Sequence, residues 1–146
     1  MESYRTVRTV KVIVIFESTR GRTKAMAEAI CEGVTSKGKI CEVRDAKDVD
    51  SVGDACALAV GSSTRMKRPL PKVKQLLSEM SPLEGVPTAA FGSFGWSGEA
   101  PDEIAKMLEE KGGRLVAAPL KVKDYPSADQ LEACKDLGVN LATSCD

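Results

Sequence analysis

KVIVIF, Lys11 to Phe16, is a continuous apolar run rich in β-branched residues, and two similar runs follow at ACALAV (Ala55 to Val60) and VPTAAF (Val86 to Phe91). A strand that is apolar at consecutive positions rather than alternate ones has to be covered on both faces, which places it inside a sheet with helices above and below. Segments of helical spacing lie between the runs. Ala25, Met26, Ala29, Ile30, Gly33 and Val34 recur three to four apart and stop at Gly38, while Val73, Leu76, Leu77 and Met80 repeat the pattern between the Pro69/Pro71 region and Pro82. Ile104, Ala105 and Leu108 predict a third helix ending at Gly112-Gly113, and Ala128, Leu131 and Leu141 a closing one. KICEVR (Lys39 to Arg44) alternates, as an edge strand with one wetter face does, RLVAA (Arg114 to Ala118) reads as the last strand, and Lys47 to Val52 as a further short helix. Five strands alternating with helices predict an α/β chain with a parallel sheet and right-handed crossovers. An edge-like second strand beside continuous first and third strands fits the order 2-1-3-4-5, in which ligands bind at the carboxyl ends of strands 1 and 3.

The chain of 146 residues is long enough for one substantial core, and it is expected to form a single domain, with Met1 to Thr9 as an N-terminal extension. Lys plus Arg (21) balance Asp plus Glu (21), so net charge points to neither nucleic acid nor an anionic membrane. MESYRTVRTV lacks the apolar core of a signal peptide and no apolar run approaches bilayer length, so a cytoplasmic, soluble protein is expected. Five cysteines, Cys31, Cys41, Cys56, Cys134 and Cys145, form an odd set without a C-x-x-C pair, the spacing of a metal site. They read as reduced thiols, with Cys31 and Cys56 as small buried hydrophobes and Cys145 as exposed and oxidisable. The chain contains no histidine. That removes the usual general base near neutral pH and the Ser-His and Cys-His nucleophile pairs, and shifts the expectation toward chemistry supplied by a bound cofactor.

Three loops at the carboxyl ends of the strands carry the chemistry. ESTRGRT, Glu17 to Thr23, offers hydroxyls at Ser18, Thr19 and Thr23, cations at Arg20 and Arg22, close backbone approach at Gly21, and the free N–H groups of the helix that follows. It suits a phosphate, or else an ordinary helix N-cap; it matches neither G-x-x-x-x-G-K-[ST] nor G-x-G-x-x-G. GSSTRMKRPLP, Gly61 to Pro71, combines Ser62, Ser63 and Thr64 with Arg65, Met66, Lys67 and Arg68; alone it reads equally as a solvated basic loop. GSFGWSGEA, Gly92 to Ala100, sets Phe94 and Trp96 among Ser93, Gly95 and Ser97, which suits stacking on a planar ring or else covering the sheet end.

An anion cradle and an aromatic platform at one switch point suggest a ligand with a phosphate tail and a planar head, the shape of FMN. On these loops the chain resembles the flavodoxins, most closely the flavodoxin-type domain of A-type flavoproteins, whose other domain carries a diiron centre. ESTRGRT resembles their hydroxyl-rich phosphate loop, GSST with Pro71 their G-S-P-T loop and following helix start, and GSFGWSGEA their third loop. Arg20 stands where the family has an aromatic or large residue, Ser63 where it has Pro, and Phe94 where Tyr is frequent. The resemblance implies a flavodoxin-like three-layer sandwich. It also implies FMN held by Ser18, Thr19, Arg20, Gly21, Arg22 and Thr23 at the phosphate, with Ser62 to Met66 and Ser93 to Ser97 around the ring.

The function this implies is an electron carrier passing one or two electrons between redox proteins. Arg65, Lys67 and Arg68, where flavodoxins are usually acidic, imply an easier second reduction of the flavin and an acidic partner such as a ferredoxin or rubredoxin. With no histidine the chain supplies no diiron site, so reduction of oxygen or nitric oxide is expected on a separate diiron protein. Two other functions are compatible with the loops: an NAD(P)H-dependent flavin oxidoreductase acting on a quinone or another small acceptor, and a flavin-free interaction module on the same fold.

Overall fold

The structure is a computed structural model that describes residues 11–49, 52 and 54–145. Along the chain come β1 (Lys11–Glu17), α1 (Arg22–Thr35), β2 (Ile40–Asp45), one 3-10 turn (Ala46–Asp48), β3 (Ala57–Ser62), the two-residue strands β4 (Thr64–Arg65) and β5 (Arg68–Pro69), α2 (Pro71–Glu79), β6 (Pro87–Phe94), α3 (Ala100–Glu110), β7 (Arg114–Leu115), β8 (Leu120–Lys123) and α4 (Ala128–Ser144). The main sheet has the order β2-β1-β3-β6-β7, with β8 continuing along the same edge of β6. Its pairings are all parallel, and β4 and β5 form a separate antiparallel hairpin. The α/β order expected from the apolar runs is therefore present.

A single strand feeds two cores, which is why its sequence is apolar without interruption. Val12, Val14 and Phe16 of β1 pack with Met26, Ile30 and Val34 of α1 and Leu137 and Leu141 of α4. Ile13 and Ile15 point the other way, onto Val73 and Leu77 of α2 and Ile104 and Leu108 of α3. Each fully buried side chain of this size contributes about 1.5–3 kcal/mol relative to exposure. On the α1/α4 face the helices approach to backbone contact: a methyl group on Gly33 would collide with the Lys135 carbonyl, and one on Gly138 with the Ile30 carbonyl.

The cysteines depart from expectation. Cys31 is bonded to Cys41, with their Cα atoms 5.5 Å apart, and Cys56 to Cys145, at 5.1 Å; Cys134 is free and buried. An odd count argues only against pairing of the whole set. The fold decides the rest, because β1 and α1 bring β2, the start of β3 and the end of α4 to one rim within cross-linking range. Cys145 is accordingly tied down rather than available for oxidation, and Cys31 and Cys56 are bonded rather than reduced. Burial pushes the Cys134 thiol up to about 11, so it stays protonated and unreactive.

Smaller differences concern element ends. The last strand expected at Arg114 to Ala118 is present only as β7, and the ladder resumes at β8 beyond Pro119, which has no N–H to donate. β8 gives β6 a partner for three further residues, so Gly92, Ser93 and Phe94 lie in the ladder, with Ser93 opposite Val122 and Phe94 opposite Lys123, rather than in a loop. Of the helix expected at Lys47 to Val52, the described residues show the 3-10 turn, capped by the Asp45 carboxylate, which accepts the Lys47 N–H at 3.0 Å; Asp50 and Ser51 lie outside the described residues, as do Met1 to Thr9. No helix among the described residues is long and apolar enough to cross a membrane.

Candidate functional site

The carboxyl ends of β1, β3 and β6 converge on a cleft of about 350 Å³ lined by Thr19, Arg20, Arg22, Ser63, Thr64, Ser93, Phe94, Gly95 and Trp96. All nine are residues singled out in the sequence. They arrive from three loops that are separated by tens of residues, and the sheet register brings them together: Phe16 pairs with Gly61, and Gly61 with Phe91.

What fastens the loops is a buried hydroxyl cluster. Thr23 is fully buried, and its Oγ1 lies 3.1 Å from Ser63 Oγ and 3.0 Å from Ser93 Oγ, while accepting the Ser93 N–H at 3.3 Å. One side chain thus joins the first loop to both others. Ser62 serves the same end from the other side: its Oγ accepts the Leu70 N–H at 2.8 Å and donates to the Ser63 carbonyl. Glu17, at 7% exposure, accepts the Val73 N–H at 2.8 Å and so caps α2, whose own N-cap Leu70 has no side-chain acceptor. Thr64 Oγ1 accepts the Ala100 N–H at 3.0 Å and serves α3 in the same way.

The start of α1 is different. Gly21 takes φ +80 as its N-cap, with no side-chain cap bond and no acidic residue in the first turn. Ser18 Oγ accepts the Gly21 N–H at 2.9 Å and shapes the turn, which leaves the first N–H groups of the helix proper without a side-chain acceptor. By contrast α3 carries Asp102 and Glu103 in its first turn, and α4 opens with a Ser127/Gln130 capping box and Asp129. The positive end of the α1 dipole is reinforced by Arg20 and Arg22 and offset by no acidic side chain lining the cleft.

The third loop divides its aromatics. Phe91 is fully buried, with its ring against Gly61, where any Cβ would strike it. Phe94 is half-buried and its ring lies over Gly98, where a Cβ would come within 2.9 Å. Trp96 is 93% exposed at the cleft mouth. Arg65, Met66, Lys67 and Arg68 form the β4–β5 hairpin beside the cleft rather than its wall, and Met66 (89% exposed) and Lys67 both adopt positive φ at the tip. Ser97 is half-buried and outside the lining.

Asp124 was not among the residues the sequence pointed to. It sits just past β8 at φ +60, donates its N–H to the Phe94 carbonyl at 2.7 Å, and places its carboxylate 3.5 Å from Arg22 Nη1. KDYPS reads as an unremarkable turn, and only the pairing of β8 with β6 brings it to the rim.

The donor set fits a phosphate monoester carrying a flat ring. An uncapped helix start, hydroxyls and two guanidinium groups suit the anion, and the exposed Trp96 lines the same cleft. Comparison with known proteins agrees. The flavodoxin family model matches residues 14–138. A putative diflavin flavoprotein A 4 of Synechocystis sp. is 31% identical over 92% of this chain, and the rubredoxin-oxygen oxidoreductase of Megalodesulfovibrio gigas is 31% identical over 92%. The chain spans only 24% and 35% of those two proteins. A flavodoxin structure from the domain Archaea superposes with a TM-score of 0.85 at 40% identity, covering 93% of this chain and 99% of its own. The chain belongs to the flavodoxin family, whose cofactor is FMN.

Proposed function

We propose that the protein is an FMN-dependent electron carrier that passes electrons between other redox proteins. The observation that carries this reading is the start of α1: among the long helices it is the one served by no side-chain cap or acid, and it opens onto two arginines and a cleft edged by an exposed tryptophan. Thr19, Arg20, Arg22 and the free N–H groups would hold the phosphate, and Ser63, Thr64, Ser93, Phe94, Gly95 and Trp96 would bound the ring. Bound FMN supplies one- and two-electron chemistry. The chain's part is to place the ring at an exposed rim, to keep its phosphate immobile, and to present charge to a partner.

The hairpin cations Arg65, Lys67 and Arg68 are exposed, so a partner with an acidic face, of the ferredoxin or rubredoxin kind, suits them. Relatives named rubredoxin-oxygen oxidoreductase and flavorubredoxin support a rubredoxin-type partner, and a diiron protein on a separate chain would be the terminal acceptor. Because these cations stand in solvent beside the cleft, their effect on reduction is at the screened end, about 1 kcal/mol or less per charge.

The test is the visible spectrum of the purified chain with and without added FMN. A flavin spectrum with one FMN bound per chain is expected. A preparation that stays colourless and takes up no FMN at micromolar concentration would sink the proposal.

A further inference from the structure

Arg22 faces two ways. Its side chain lines the cleft, and its Nη1 is 3.5 Å from the Asp124 carboxylate. Arg20, the other lining cation, has no ion-pair partner among the described residues. The Asp124 backbone is held independently of the pair, by its N–H to the Phe94 carbonyl, and a methyl group on Gly95 would lie 3.9 Å from both Arg22 Nη1 and Asp124 Oδ1. The pair therefore sits against the third loop, with Arg22 at the wall of the cleft and Asp124 behind it.

We propose that Asp124 is a stand-in anion: it engages Arg22 in the open cleft, opposes any phosphate that arrives there, and so sets how tightly the site holds phosphates. Two effects compete. As an anchor the carboxylate would help by orienting the guanidinium, but the contact is long and the carboxylate is 60% exposed, the geometry of a weak pair. As a charge it repels a doubly negative phosphate bound one guanidinium away, a screened repulsion felt by every ligand bearing the group. The second effect is the larger. A phosphate forming charge-assisted bonds to Arg22 and the α1 N–H groups displaces so weak a partner. FMN carries the loss because its ring adds contacts of its own. Free phosphate has no such contacts to offset it, so small anions bind more weakly.

The inference rests on the FMN reading for its flavin arm but can be tested without it. Asp124→Asn keeps the backbone, since asparagine tolerates positive φ at least as well as aspartate. Calorimetric titration of the full chain with FMN and with riboflavin, and phosphorus NMR titration with inorganic phosphate, give three affinities. Asp124→Asn is expected to tighten FMN and inorganic phosphate by a common factor of about three to ten, with riboflavin unchanged. The gain should persist in the Arg22→Gln background, because the repulsion acts on the phosphate itself. Weaker phosphate binding would make Asp124 an anchor and overturn the proposal, as would no change or an equal shift for riboflavin. If neither protein binds flavin, the carrier reading fails on its own, and the inorganic phosphate arm still decides between a gain and none.

Discussion

The two rims of the sheet are fastened by different chemistry. At the carboxyl ends of the strands the loops are joined by hydroxyls, Thr23 to Ser63 and Ser93, and by the long Arg22–Asp124 contact. At the amino ends the joints are covalent: Cys41 stands opposite Val12 at the start of β2, and Cys56, whose N–H donates to the Lys11 carbonyl, is bonded to the C-cap of α4. A rim that has to admit and grip a ligand uses bonds that can be made and broken at little cost, whereas the opposite rim, free of that demand, is closed by links that thermal motion does not open. If the carboxyl rim is the one that grips the ligand, stability and ligand binding should be separable along the strand axis.

The largest test is to cut the covalent rim. Cys56→Ser removes a link across 89 residues, against 10 for the Cys31–Cys41 bond. In chain-entropy terms the long link is worth about 2 kcal/mol more than the short one, roughly 4.6 against 2.7 kcal/mol. Thermal unfolding should show Cys56→Ser falling further than Cys31→Ser, with FMN affinity intact in both variants. A parallel loss of FMN affinity would mean the rims are coupled. Thiol titration checks the premise: of five cysteines, none should react in the native protein and one after unfolding without reductant.

The converse test is Thr23→Val, which keeps the shape and removes the hydroxyl. It strands the Ser93 N–H and the two serine hydroxyls that Thr23 links, at a cost of about 1–3 kcal/mol. Here stability by denaturant titration and FMN affinity by calorimetry should fall together, and retention of full affinity would show that the cluster does not position the loops.

The smallest effect concerns Glu42, near the covalent rim. A hydrogen bond from Lys11 at 2.8 Å, and a second from Arg44, hold its carboxyl below the ordinary value of 4.5. A lowered carboxyl stabilises the fold fully above pH 4.5 and loses that contribution as pH falls through its folded value. Since the cluster is only part-buried at the surface, the amount is about 1 kcal/mol or less. Glu42→Gln should therefore flatten the decline in stability between neutral and acid pH slightly, and an identical pH profile would show that the clasp contributes nothing.

The sequence disclosed much of the ligand rim and little of the covalent one. Hydroxyls, glycine and arginine packed into ESTRGRT, and aromatics into GSFGWSGEA, are local signals, and a continuous apolar strand such as KVIVIF states its own burial. Cys41 and Cys56 carry no such mark. Their neighbours, Cys31 and Cys145, are set by strand order and by where α4 ends, which are properties of the whole fold. Asp124 was missed for the same reason, because β8 is short and lies beyond a proline. Thr23 and Ser62 were legible as polar residues of the site. Their buried, structural use was not, since composition does not say which way a hydroxyl turns.

Trp96 is the chain's one tryptophan, and it stands almost wholly in water at the cleft mouth. A single indole fluorophore therefore stands beside the cleft proposed to take the flavin. Its emission, free of overlap from any second indole, would be quenched by a neighbouring flavin and would report the arrival and departure of that ligand in real time, with no label attached.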